Sequence, residues 1–490
     1  MTGAVTAQEI NQQDSKWFTD GQAKIQEVLA RQPNTGRAKN VILFTADGNG
    51  VGTNYAIRLF AGQKAGGLGD DYVLPQEAFP NLALVKTYTT NGQTPDSAPT
   101  ASAMNTGVKT KNTMINVSED VNVGDCAGIT GNELTTFAEL ATAAGKSVGL
   151  VSTARITHAT PAAVYAKTVH RNWEDNSDLP EGCTAQKDIA AQLLDVMTAG
   201  TVDIAFGGGR RHFLPEQVTD EEGKNGRRTD DRNLIEEVKA LGGQYAWDDK
   251  TFAELNTKGG NAPILGLFES SHMKYEYDRT GEPSLAEMTE TAIKTLQNNE
   301  NGFYINIEAG RVDHANHDGN LHRTLTDGVA FAEAIAKADE LTDDADTLII
   351  VTADHEHAIS FNGYCGRGSP VTGLCYEIDD EGTKHLDTLN KGIDGKPYTV
   401  AGYLNGAGSI LDEQADGSYS GSRPDLTNEE AMDPEYLQQA LVPMTSETHS
   451  GEDVAVMAKG PWSHLFNGVI EQNYIFHVMN YAMNAKIDAD

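Results

Sequence analysis

Long hydrophobic runs are missing from this chain. No apolar stretch in its 490 residues approaches the ~20 that a membrane-crossing helix needs. Basic residues are few: 37 Lys and Arg stand against 71 Asp and Glu, a formal net charge of −34. Such a surface repels nucleic acid and anionic membranes. It also gives no general attraction for a small anion, which local cations must then capture. Cysteine is scarce, four in all, and no C-x-x-C spacing supports a soft-metal site. The run Gly207, Gly208, Gly209 and Arg210 lacks the Lys-Ser/Thr ending of a phosphate loop and reads as a turn. There is no internal repeat. The opening MTGAVTAQEI carries no basic-then-apolar leader pattern.

The four cysteines are informative by position. Cys126 and Cys183 lie in polar, loop-like stretches, and Cys365 and Cys375 bracket a short loop. An even count in irregular segments suits two disulfides and an oxidising compartment. The chain therefore reads as a periplasmic or secreted protein in mature form, its leader removed. The acidity reads either as plain solubility or as adaptation to high salt, where screening cancels self-repulsion.

Apolar runs at 40–45, 82–88, 147–153, 202–209, 303–308, 347–353 and 454–459 read as strands. Helical periodicity occupies 135–146, 329–341 and 471–484, with a shorter helix around 231–241. Ser284 and Glu287 form a capping box that opens a helix running to about 299. Strands alternating with helices predict an α/β three-layer sandwich, a mostly parallel sheet with helices on both faces. Residues 1–38 read as an N-terminal arm or helix. The core spans 39–356, with a polar surface excursion at about 210–262, and resumes at 448–490. Between them, 357–447 reads as an inserted subdomain or lid, its base stapled by Cys365 and Cys375.

Three apolar runs end in metal-ligand side chains. VILFTADGNG delivers Asp47, FYINIEAGRVDHANH delivers Glu308, Asp313 and His317, and LIIVTADHEH delivers Asp354 and His355. Carboxylates and imidazoles there are costly to leave unpaired, and in an α/β sheet that edge is where ligands bind. Asp313 and His317, four apart, share one helical face. His449 stands just before a late strand and reaches the same edge. Histidine and carboxylate ligands without cysteine suit zinc; an all-oxygen set suits magnesium.

Ser97, in TPDSAPTASAMNTG, starts a helix behind Asp96, with Pro99 in the first turn. Helix N–H groups and a metal together depress a hydroxyl pKa there. Arg171 offers two parallel donors that match a phosphate edge. His158 and Thr160 occupy a loop-to-helix turn. His212, His322 and His357 lie near these motifs without an assigned role.

These segments resemble the alkaline phosphatase family over most of the chain, from Asn40 to about Gly460. DSAPTASA is similar to the family's nucleophile signature. EAGRVDHANH, VTADH and ETHSGEDV are similar to its metal-binding segments, in the same order. The resemblance implies metal-dependent hydrolysis of phosphate monoesters through a phosphoserine on Ser97, with two zinc ions and one magnesium per chain. Asp313, His317 and His449 would hold one zinc. Asp47, Asp354 and His355 would hold the second, with Ser97 as its reacting ligand. Asp47, Thr160 and Glu308 would hold the magnesium. Arg171 would clamp the phosphate and Asp96 would orient Arg171. His314 would meet the phosphate through water, and His158 would lie beyond the magnesium ligands. The family also implies a homodimer and makes 357–447 a crown-like or interface region. Where DGMG is common this chain has DGNG, which leaves Asn49 outside the ligand set. Sulfatases and diesterases of the same superfamily are the nearest rivals. Arg171, reaching two nonbridging oxygens, favours monoesters. A non-catalytic acidic metal binder would leave Ser97 and Arg171 unexplained.

Overall fold

The computed structural model describes residues 10–258 and 262–484. Its main sheet has ten strands: β1 Asn40–Ala46, β2 Asn81–Lys86, β3 Ser147–Arg155, β4 Ile204–Gly208, β5 Gln244–Ala246, β6 Ile264–Leu267, β7 Phe303–Ala309, β8 Thr347–Ala353, β9 Val454–Lys459 and β10 Gly468–Glu471. Their order is β10-β2-β9-β8-β1-β7-β3-β4-β6-β5. β9 runs antiparallel to both neighbours. Every other pairing is parallel.

β1, β7 and β8 are buried at every position, which is why they read as unbroken apolar runs. Their side chains alternate between two cores. Val41 and Leu43 join Phe137, Leu150, Tyr304 and Ile475 on one face. Ile42 and Phe44 join Met288, Ile307 and Phe331 on the other. Each such side chain contributes about 1.5–3 kcal/mol when removed from water. Helices Ser97–Thr106, Phe137–Ala143, Ile189–Thr198 and Tyr474–Asn484 cover the first face, and Leu285–Leu296 and Leu321–Leu341 cover the second. The result is the α/β sandwich that the alternation predicts.

Several elements differ in extent from the sequence reading. The helix expected at 329–341 begins at Leu321, because Asn320 caps the Arg323 N–H and the polar first turns hide the period. The polar stretch 210–262 contributes not only helix Leu234–Ala240 but also β5, an edge strand too short to read. The closing helix starts at Tyr474, and Glu471 instead ends β10. Within 357–447 the chain forms short strands. Ile359–Phe361, Ala401–Gly406 and Ala440–Pro443 make a separate three-stranded sheet. Helix Lys16–Ala30 in the arm buries no residue. Disulfides join Cys126 to Cys183 and Cys365 to Cys375. Among the described residues no helix is long and apolar enough to cross a membrane.

Strand register sets up the site. Thr45 lies level with Glu308, and Ala46 with both Ala309 and Ala353. Asp47, Glu308 and Asp354 therefore emerge together at the carboxyl ends of three adjacent central strands.

Candidate metal and phosphate site

Helix Arg311–His317 follows β7 after a single glycine and carries Asp313 and His317. His449 arrives from a short strand that pairs antiparallel with Glu356–His357. His317 Nδ1 lies 2.6 Å from the carbonyl oxygen of Glu447, and His449 Nδ1 lies 2.8 Å from that of Pro95. A carbonyl only accepts, so each ring carries a proton on Nδ1, which turns its Nε2 inward, where a neutral ring offers a lone pair. Those two nitrogens face each other at 3.0 Å, with Asp313 Oδ1 at 3.4 and 3.2 Å. Three acceptors around one point repel unless a cation sits among them. Such spacings match ligand edges of a tetrahedron with zinc–ligand bonds of ~2.0–2.2 Å.

A second set adjoins the first. His355 Nε2 is 3.3 Å from both Asp47 Oδ1 and Asp354 Oδ2. Ser97 Oγ is 3.3 Å from Asp47 Oδ1 and from His355 Nε2. The His355 and His449 rings stack at 3.6 Å between centroids, joining the two sets. Gly48 follows Asp47 with φ +68, and a Cβ there would stand 2.3 Å from His357 Nε2, so only glycine fits. Its N–H donates to Asp354 Oδ1 at 3.0 Å.

A third group is built from oxygen. Glu308 accepts from Ser152, the residue level with it on β3. Its other oxygen, Asp47 Oδ2 and Thr160 Oγ1 are buried without a hydrogen-bond partner. His158 brings a ring nitrogen within 4.8 Å of ligand oxygens of Asp47 and Glu308. Burial, reinforced by the other carboxylates, raises Asp47 well above its usual range and pushes Glu308 to about 8 and Asp354 to about 7. Burial lowers His355 to about 3. This interior disfavours its own carboxylate charges unless cations balance them. The donor sets suit divalent metal ions.

The Ser97 side of the cluster is equally specific. Asp96 caps the helix that begins at Ser97 by accepting from the Ala98 N–H at 2.8 Å. Its second oxygen accepts from Thr113 N–H at 2.6 Å, and Arg171 Nη1 donates to its first at 3.2 Å. The Arg171 backbone N–H donates to the Thr113 carbonyl at 2.8 Å. Thr113 pivots between them at φ 81, a left-handed conformation unusual for a β-branched residue. Such strain costs about 1–3 kcal/mol and persists only where neighbours enforce it. Arg171 Nη2 is 3.0 Å from His158 Nε2, and the His158 and His314 rings lie 5.4 Å apart. Asp96, Arg171, His158 and His314 are linked to one another and to the start of the Ser97 helix by these contacts.

Three residues escaped the sequence reading. His357 Nε2 contacts Asp313 Oδ1 at 2.8 Å, and its Nδ1 meets the Glu447 carboxylate. Asp313 and Glu447 together hold it well above the usual histidine range against the opposing effect of burial. Glu447 also supplies the carbonyl that fixes His317. His272 packs its ring 4.0 Å from that of His314. Proximity to VTADH and ETHS was the one available signal for the first two; nothing local marks His272.

Residues 38–485 match the family model described as alkaline phosphatase. The chain is 41% identical over 483 residues to the alkaline phosphatase of Gadus morhua, spanning 95% of this chain and 96% of that one. It is 39% identical to the tissue-nonspecific isozyme of Gallus gallus, over 95% of this chain and 88% of that one. Among solved structures, Thermus thermophilus alkaline phosphatase superposes with a TM-score of 0.65 at 23% identity, covering 94% of both chains. That of the Antarctic bacterium TAB5 gives 0.61 at 21%, covering 92% of this chain and all of that one. At such identities these two structures speak to the fold alone.

Proposed function

The chain belongs to the alkaline phosphatase family, and from that premise we propose which of its residues carry the reaction. It hydrolyses phosphate monoesters in a metal-dependent reaction through a phosphoserine, releasing inorganic phosphate and an alcohol. Ser97 is the nucleophile. Its Oγ gives up its proton to solvent and bonds to phosphorus as the ester P–O bond breaks, and the departing alcohol oxygen takes a proton from solvent. Water then loses a proton and adds to phosphorus, the Ser97 Oγ–P bond breaks, Oγ takes a proton back from solvent, and phosphate leaves. Two inversions give net retention.

Arg171 donates from two nitrogens to two nonbridging oxygens, held in place by Asp96. His314 reaches the phosphate through water. Asp313, His317 and His449 would hold one zinc; Asp47, Asp354 and His355, with Ser97, a second; Asp47, Thr160 and Glu308 a magnesium, with His158 beyond it. Bound there, the ions would supply Lewis acidity that lowers the Ser97 pKa and balances charge on the ester oxygens. The observation that carries this reading is the Ser97 hydroxyl, 3.3 Å from two members of a buried ligand set at a helix start.

The test compares p-nitrophenyl phosphate with its diester and with the sulfate, and traps phosphoserine by acid quench. Wild type should favour the monoester strongly, and Ser97→Ala should yield no phosphoserine. Unchanged turnover in Ser97→Ala removes the covalent step; Arg171→Ala should mainly weaken phosphate binding. The same reading makes the protein a periplasmic or secreted homodimer. Its core is 39–356 with 448–490, and 357–447 is a crown-like insertion. The two disulfides support the compartment, and sedimentation tests the dimer.

A further inference from the structure

Arg171 stands on a segment anchored, three and four residues later, by buried charge. Glu174 accepts from Arg155 Nε and Nη2 at 2.8 and 2.7 Å, a two-point planar pair, and from Thr157 Oγ1 at 2.6 Å. Asp175 meets His212 Nδ1 at 2.6 Å and Arg227 Nε at 3.1 Å. Glu174 is 7% exposed and Asp175 fully buried. Burial opposes the Glu174 charge, yet His212 and Arg155 hold its carboxyl at about 2.

Arg155 closes β3, and His158, three residues on, lies 3.0 Å from Arg171. The two segments are therefore clasped twice, once by His158 on Arg171 and once by Arg155 and Thr157 on Glu174. Arg155 reaches further. Its Nη1 touches His272, whose ring packs on His314, and its backbone N–H donates to His272 Nδ1 at 3.2 Å. One guanidinium thus ties together the segments bearing Arg171, His158 and the neighbour of His314.

We propose that Glu174 and Arg155 form a positioning pair that sets the Arg171 guanidinium for the nonbridging oxygens of the bound phosphate. This rests on the reading of Arg171 as the phosphate clamp. A planar two-point pair fixes orientation as well as distance, and in a water-poor interior breaking it leaves buried charge poorly compensated. Glutamine at 174 nearly preserves shape but turns an amide N–H toward guanidinium N–H groups, so the pair opens. Lysine at 155 keeps the charge but loses the parallel donors.

The experiment measures the inhibition constant of inorganic phosphate, KM and kcat for p-nitrophenyl phosphate, melting temperature and bound metal. It uses the metal-loaded wild type, Glu174→Gln, Arg155→Lys, Arg171→Ala and Glu174→Gln/Arg171→Ala. Glu174→Gln should raise the phosphate inhibition constant on the order of tenfold, with metal content unchanged. In the Arg171→Ala background the same change should have almost no effect, because nothing remains to be positioned. Arg155→Lys should reproduce the first result, which covers a failure of Glu174→Gln to fold. An unchanged phosphate constant in both positioning variants overturns the proposal, as does an equal loss in both backgrounds. If Arg171→Ala itself binds phosphate like wild type, the clamp reading falls and takes the proposal with it. If Arg171→Ala is weakened while the positioning variants are not, the proposal alone falls.

Discussion

Arg171 Nη1 donates to Asp96 Oδ1 across 3.2 Å, and that same oxygen accepts the Ala98 N–H at the start of the Ser97 helix. One carboxylate therefore serves both the Ser97 helix and Arg171, the nucleophile and phosphate clamp of the proposed reaction. Asp96→Ala should lose the cap, at a cost of about 1 kcal/mol, and also release Arg171. Asp96→Asn retains an oxygen for the cap but loses the ionic attraction and the Thr113 N–H bond to the second oxygen. The alanine variant should melt lower and bind phosphate more weakly, and the asparagine variant should show mainly the second effect. Melting curves beside phosphate inhibition constants separate the two. Phosphate affinity untouched in Asp96→Ala would remove the orienting role.

Metal removal should be felt differently at different pH. Without ions, burial and neighbouring carboxylates raise Asp354 to about 7 and Glu308 to about 8, above the ~4 of unfolded chains. A carboxyl raised by folding binds its proton more tightly in the native state. Its contribution is full below the unfolded pKa and is lost as pH climbs through the folded one. The stripped protein should therefore weaken from about pH 5 to 9 more steeply than the loaded one. Calorimetry with chelator and with added zinc, at pH 6 and 9, should show a gap that widens with pH. A constant gap would mean that these carboxylates do not face one another in solution.

How far this was legible in the sequence depends on how each residue is placed. Asp47, Glu308 and Asp354 were readable because each ends a strand buried on both faces, and such strands announce themselves as apolar runs. Ser97 was readable from Asp96 and Pro99, the local chemistry of a helix start. Glu174, Arg155 and His272 were not, since their partners lie 19 and 117 residues away and a lone charged residue reads as surface. β5 was hidden for another reason. It has three residues at the sheet edge, too few to show a period of two.

The charge of −34 gives a salt prediction. Acidic side chains crowd the surface with few cations between them, and self-repulsion at low ionic strength opposes compactness. The screening length falls from about 10 Å at 0.1 M to about 3 Å at 1 M. Melting temperature should rise from 0.1 to 2 M NaCl, in excess of the change seen for a protein near neutrality. A flat response would leave the acidity as solubility alone.

The Cys126–Cys183 bond closes a loop of 57 residues and the Cys365–Cys375 bond one of 10. Chain-entropy arguments give about 4 kcal/mol for the longer loop and about 3 for the shorter, as upper values. Position separates them further. Cys126 and Cys183 pack against a small apolar cluster of Met114, Val117, Val121, Ile129, Val169 and Trp173. Val169 and Trp173 flank Arg171 in the chain, so this cluster packs the segment that carries Arg171. Cys126→Ser/Cys183→Ser should lower stability by about 2–4 kcal/mol and also weaken phosphate binding. Cys365→Ser/Cys375→Ser should cost less and leave phosphate affinity unchanged, because its loop lies among the short strands of 357–447, outside the main sheet. Denaturant unfolding and phosphate inhibition, measured on both pairs, check the contrast. Equal phosphate affinities in the two variants would show that the longer loop stabilises the fold without steadying Arg171.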